Sequence, residues 1–143
     1  MLLPDINILV YSHRSDVPDH DAYRGWLEDA LHGAEPVALC GPVLAGFVRI
    51  VTHPRVFTPP TPLEEALRFV ATLRSGPAAL TPSLTEHHID AFLAACHGGR
   101  VKGAMISDAY LAGIALSLGC ELVTADRGFA RFPALRWRHP FDD

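Results

Sequence analysis

The chain has 143 residues, enough for one domain with a sizeable core, and with 49% apolar and 20% charged side chains it is too hydrophobic for an extended, disordered polyelectrolyte. A formal net charge of -4 argues against a protein that coats nucleic acid generically, although the charge is uneven enough for a local basic face. Cys40, Cys96 and Cys120 cannot all pair and lack CxxC spacing, no apolar run approaches the roughly 20 residues of a membrane span, and no basic leader precedes the first apolar run. The expectation is a soluble, unexported protein of the reducing cytoplasm.

The opening segment Met1–Tyr11 predicts a short apolar strand that ends in Asp5, followed by a short helix over Asn7–Tyr11. Pro4 lacks a ladder donor, so it must stand at the strand's end. Asp16-Val17-Pro18-Asp19 marks a turn before a longer helix, whose apolar residues Ala22, Trp26, Leu27, Ala30 and Leu31 recur at helical spacing up to Gly33. Val37–Cys40 has the continuous apolar character of a buried strand. Val43–Thr52 predicts a helix with Leu44, Phe47, Val48 and Val51 on one face. A proline-rich connector, Phe57–Pro62, leads to Thr61 and Glu64, spaced as a capping box for the helix that carries Ala66, Leu67, Phe69, Val70 and Leu73.

Ala78–Thr81 is a weak strand, and Thr85–His97 predicts another helix, apolar at Ile89, Phe92, Leu93 and Cys96. The basic glycine loop Gly98–Gly103 precedes a helix capped by Ser107 and running through Leu118, apolar nearly all round and therefore buried. Glu121–Thr124 predicts a strand that delivers Asp126, and Leu135–Arg138 a last edge strand. Strands separated by helices imply parallel pairing with right-handed crossovers, so the fold class is α/β, with a central parallel sheet and helices on both faces as one domain over residues 1–143.

Each of three acids has an ordinary explanation when taken singly. Asp5 could begin an Asx turn, Asp108 could favour a helix dipole, and Asp126 could start a type I turn. Taken together, two follow strands and one opens a buried helix, so all three can reach one edge of the sheet, where open parallel sheets bind ligands. Crowded carboxylates repel unless a cation neutralises them, and oxygen ligands favour Mg²⁺ or Mn²⁺ over zinc. Such ions bind phosphates and activate water, which points to phosphodiester hydrolysis.

Asp5-Ile6-Asn7, Ser107-Asp108-Ala109 and Thr124-Ala125-Asp126-Arg127-Gly128-Phe129 resemble the PIN-domain ribonucleases, and chain length with the run Val48–Phe57 resembles the VapC toxins of type II toxin–antitoxin systems. The resemblance implies a PIN-like three-layer α/β/α fold and a single-stranded RNA endonuclease that uses Mg²⁺ or Mn²⁺, is usually dimeric and is held inactive by a VapB-type antitoxin. It carries catalytic roles onto Asp5, Asp108 and Asp126, with Asn7 and Thr124 as polar support. Gly46 and Gly128 stand where the family usually has acids, which favours one ion on Asp5 and Asp108, with Asp126 acting on water. A PIN-like domain that binds RNA or a partner protein without cutting is the alternative. A receiver-like signalling domain fits less well, since it needs a paired acidic cluster before its first helix.

Arg127, Arg131, Arg136 and Arg138, and Arg100 with Lys102 in their glycine loop, could hold RNA phosphates or be solvated surface. The histidines show no metal-ligand spacing, and the cysteines and Trp26, Phe47, Phe69 and Phe92 fit core positions. For an antitoxin, the expected docking face is Phe57, Leu63, Leu67 and Val70.

Overall fold

The computed structural model describes residues 1–142. Five parallel strands form one sheet in the order β3-β2-β1-β4-β5: β1 Leu2–Pro4, β2 Val37–Ala38, β3 Ala79–Leu80, β4 Glu121–Val123 and β5 Trp137–Arg138. Six helices connect them: α1 Ile6–His13, α2 His20–His32, α3 Gly41–Val51, α4 Leu63–Arg74, α5 His87–Gly99 and α6 Met105–Leu118. β1 lies at the centre, flanked by β2 (Leu2 opposite Val37) and β4 (Leu2 opposite Glu121, Pro4 opposite Val123). Pro4 is the last residue of β1, and the ladder resumes past it through the Asp5 N–H, which donates to the Val123 carbonyl at 2.8 Å. The missing donor therefore costs the central strand little.

Packing joins α1 to α2 and α3, α3 to α4, and α5 to α6. The chain steps from β1 to β2 to β3 in one direction, then returns past β1 to β4. Right-handed crossovers put the connections of these opposite steps on opposite faces of the sheet. Leu3, Val37, Leu122 and Val123 in the sheet and Ile8, Leu9, Val43, Phe47, Val51 and Ile114 on the helices are all under 2% exposed and make up the core. Among the described residues, no helix is long and apolar enough to cross a membrane.

Two expected caps are absent. Pro62, not Thr61, precedes α4; the buried Thr61 hydroxyl instead accepts a bond from the Arg14 guanidinium at 3.1 Å and meets His13 Nε2 at 3.3 Å, which ties the proline connector to the end of α1. α6 begins at Met105 after Ala104, so Ser107 and Asp108 lie inside its first turn. α1 and α5 also run two residues further than their patterns predict, to His13 and Gly99, where local chain geometry rather than periodicity decides the end.

Candidate active site

The site begins at the carboxyl end of β1. Asp5 leaves the strand in extended conformation and caps α1, its Oδ1 accepting the Ile6 N–H at 2.6 Å. Its Oδ2 accepts the Thr124 hydroxyl at 2.6 Å and the Asn7 side-chain amide at 2.7 Å. The Thr124 hydroxyl in turn accepts from Asn7 Nδ2 at 3.1 Å and from the Asp126 N–H at 3.0 Å, while Asn7 Oδ1 accepts the Ala125 N–H at 3.2 Å. This network fastens the end of β4 to the end of β1 and holds the Asp5 carboxylate in one orientation, with one lone pair of Oδ1 free.

Asp5 is only 7% exposed, and burial pushes its pKa up from 3.8 to about 6. The bonds from Thr124 and Ile6 oppose that rise, and the negative charges of Asp108 and Asp126 add to it. Burial also raises the pKa of Asp108; Asp126 adds to the rise and the Arg131 guanidinium offsets it. The acids therefore lie within electrostatic reach of one another although they come from β1, α6 and the β4 exit. Asp126 starts a 3-10 turn, Arg127–Arg131, and its Oδ1 accepts the Gly128 N–H at 2.7 Å, which leaves Oδ2 for other partners.

Two clefts meet at these acids. One, about 500 Å³, runs between α3 and the α5–α6 pair and is lined by Asp5, Ile6, Gly46, Arg49, Phe92 and Asp108 among others. The other, about 360 Å³, passes Asn7, Tyr11, Phe57 and Phe129 and contains Asp5, Asp108 and Asp126. A larger cleft, about 580 Å³, between α2 and α4 contains none of the three acids.

The three acids share a cleft, yet among the described residues no three His, Cys, Asp or Glu side chains form a ready-made metal-binding group. The Gly128 bond to Asp126 and the Thr124 and Asn7 bonds to Asp5 engage carboxylate oxygens that a three-ligand cage would need. What remains suits Mg²⁺, which is commonly held by one or two carboxylates and completes its octahedron with waters and substrate phosphate. The proton affinity of Asp5 and Asp108 marks a place where a cation lowers the cost of carboxylate charge. A side chain at either glycine would require a neighbouring side-chain tip to shift. A Cβ on Gly46 would lie 2.4 Å from Ile6 Cδ1, and a Cβ on Gly128 would lie 2.8 Å from Asp126 Oδ1.

The arginines that follow Asp126 in sequence do not all gather beside it. Arg131 lies near Asp108 and donates to the Gly128 carbonyl at 2.9 Å, with Met105 also in contact. Arg127 is exposed and pairs with Asp142 at 3.8 Å. Arg136 donates to the Gly119 carbonyl past the far end of α6, and Arg138 turns back to Glu121 at the start of β4, so neither reaches the acids. Arg100 and Lys102 are exposed at the α5–α6 tip, which abuts the end of the 3-10 turn where Gly99 approaches Phe132. Cys40 and Cys120 are buried thiols whose pKa values burial raises, as suits core fillers.

Arg49 escapes the sequence reading as a site residue. Pro42, Ala45 and Arg49 are spaced three and four apart, on the side of α3 opposite its buried Val43, Phe47 and Val51, and all three line the α3 cleft. That spacing was available in the sequence, but it resembles an ordinary solvent face.

The PIN domain family model matches residues 2–135. "Ribonuclease VapC43" of Mycobacterium tuberculosis (strain H37Rv) is 46% identical over 99% of this chain and 97% of its own length. "Ribonuclease VapC25" of the same strain is 34% identical over 98% and 99%. Among solved structures, VapBC2 from Rickettsia felis aligns with a TM-score of 0.67 at 21% identity over 96% of this chain and 97% of that one. FitAcB from Neisseria gonorrhoeae aligns at 0.66 and 16% identity, over 99% of each chain, so these two likenesses concern the fold. With its central β1, the acids at the strand ends and a family match that spans nearly the whole chain, this protein belongs to the PIN-domain family, among the VapC proteins.

Proposed function

We propose that the protein is the toxin of a type II toxin–antitoxin system, a Mg²⁺-dependent endoribonuclease, with Mn²⁺ as a substitute ion, that cuts single-stranded RNA in the cytoplasm. The observation that carries this reading is the convergence of Asp5, Asp108 and Asp126 on one cleft, with Asp5 buried and its pKa lifted to about 6. Relatives named ribonucleases support it over the full length of the chain.

In this reading Asp5 and Asp108 hold the ion. When bound, the ion neutralises these carboxylates and polarises a phosphoryl oxygen of the strand. Thr124 and Asn7 keep Asp5 aimed at it. Asp126, with Oδ2 uncommitted, orients a water on the phosphorus and takes its proton as the water oxygen bonds to phosphorus; the P–O bond to the leaving oxygen breaks, and that oxygen takes a proton from solvent. Arg131, beside Asp108, and the exposed Arg100, Lys102 and Arg127 attract RNA phosphates to the acidic edge.

The partner in this reading is a VapB-type antitoxin, and the active form is a homodimer. Leu63 and Leu67 on α4, at 54% and 44% exposed, with the partly exposed Phe57 and Val70, offer an apolar face for such a protein.

The test is cleavage of a labelled single-stranded RNA by purified protein in Mg²⁺ or Mn²⁺ against the same reaction in chelator. Wild-type protein is expected to yield fragments only with the ion, and Asp5→Asn to lose at least two orders of magnitude in rate while keeping its circular dichroism spectrum. Wild-type cutting by Asp5→Asn refutes the assignment. A specific observation favours one rival, a domain that binds RNA without cutting: no three-ligand metal group exists among the described residues. That rival is recognised by RNA binding without fragments under every ion condition.

A further inference from the structure

We propose that the cleft between α3 and the α5–α6 pair is the subsite for one unstacked base of the RNA strand, next to the scissile phosphate, and that Arg49 on its rim binds the flanking phosphate. The proposal rests on the nuclease reading given above and names how the strand lies across that site.

Four observations support it. Asp5 and Asp108 line this cleft as well as the neighbouring one, so a nucleotide adjoining a phosphate held at the acids lies within reach of it. The walls are apolar and partly aromatic, from Phe92, Tyr110 and Ile106, and such surfaces take bases of any sequence by stacking. The Tyr110 ring stands edge-on to Phe92 with centroids 5.5 Å apart, and its hydroxyl meets His88 Nε2 at 3.2 Å, so this wall is fixed before a ligand arrives. A volume of about 500 Å³ is that of a small-ligand site.

Electrostatics then sets the path of the strand across the site. Arg131 flanks Asp108 from the 3-10 turn, and Arg49 lies on the α3 side of the same acids. Among the described residues, the Arg49 guanidinium makes no ion pair. Two cations on either side of an acidic, ion-holding centre match successive phosphates of a strand that passes over it, and a fork of guanidinium donors suits each phosphate. Gly46 helps keep the cleft open, because no side chain projects there against Ile6.

The test uses Asp5→Asn as a parent that binds without cutting, and a fluorescein-labelled single-stranded RNA of mixed sequence read by anisotropy in Mg²⁺. Ala45→Trp, at an exposed position on the cleft lip, plugs the base pocket, and Arg49→Ala removes the cation. Each is expected to weaken binding roughly tenfold in the Asp5→Asn background. Arg49→Ala should also reduce the slope of log affinity against log salt by about one, whereas Ala45→Trp should leave that slope unchanged. Both positions are exposed, and if one variant fails to fold the other still decides.

RNA binding equal to the parent's in the folded variants overturns the subsite and leaves the nuclease reading standing. The same result together with lost co-purification of the protein encoded by the adjacent small reading frame assigns the cleft to that partner and likewise overturns the proposal. A parent that binds no RNA, with a wild-type protein that cuts none, overturns both.

Discussion

At the scale of single residues, Asp5 sets the terms. The residue is only 7% exposed, and its carboxyl accepts three hydrogen bonds yet has its pKa raised from 3.8 to about 6, because burial and the nearby Asp108 and Asp126 outweigh those bonds. The folded state therefore binds this proton more tightly than the unfolded chain does. In the absence of divalent ions, stability is gained as pH falls through about 6 toward 3.8 and is lost as pH rises through the same window. A shift of this size corresponds to on the order of 3 kcal/mol between the two ends of the window. Asp5→Asn cannot titrate, so subtracting its thermal unfolding from that of wild type isolates the effect. In chelator, the wild type is expected to gain on the variant as pH falls from roughly 7.5 to roughly 4.5, an interval that covers the upper and larger part of the window. A difference that stays flat across this interval would show that Asp5 is not held as the network implies. Asp108 carries a shift of the same sign, from burial and from Asp126, and it is common to both proteins.

At the scale of elements, the α5–α6 pair determines where Asp108 and the aromatic wall stand. The two helices approach so closely that a Cβ on Gly113 would lie 2.6 Å from both the backbone nitrogen and the Cα of Phe92. Backbone cannot yield as a flexible side-chain tip can, so Gly113→Ala must separate the helices. The expected cost is roughly 1 to 3 kcal/mol, seen as a lower urea midpoint with unchanged slope, together with slower RNA cleavage, although residue 113 lies a turn beyond Asp108. A wild-type midpoint would show that the helices have slack at this crossing.

The same elements show what the sequence could reveal. Helices and strands were legible from periodicity, glycine and proline, and the acids from their places after strands and in the first turn of α6. Caps were less legible, because Thr61 is drawn to Arg14 and His13 by contacts some 47 residues distant in the chain. The arginine cluster stayed ambiguous for a related reason. Neighbours in sequence diverge around a strand, so Arg136 and Arg138 bond away from the acids while Arg131 stays beside Asp108. Arg49 was hidden because a cleft-facing stripe on α3 has the same composition as a solvated one.

At the scale of the whole molecule, the site is a junction rather than a loop. Asp5 comes from the central strand, Asp108 from α6 and Asp126 from the exit of β4, so the charges that repel one another also span the α6 side of the fold and the sheet. An ion joining Asp5 to Asp108, as proposed, would act as a cross-link present only in the folded chain and would stabilise the protein by mass action. At a Mg²⁺ concentration about 100 times the dissociation constant, the gain is ~2.7 kcal/mol, or a rise in Tm of roughly 5 to 10 °C for a chain of this size. The rise should scale with the logarithm of ion concentration, vanish on chelation and be absent in Asp5→Asn. It should also shrink below pH 6, where protons compete for the same carboxylate. The comparison with Asp5→Asn separates site binding from general screening, since screening would raise Tm equally in wild type and variant. A wild-type Tm indifferent to Mg²⁺ at neutral pH would mean that Asp5 and Asp108 do not share an ion, and the hydrolytic reading would then lose its physical basis.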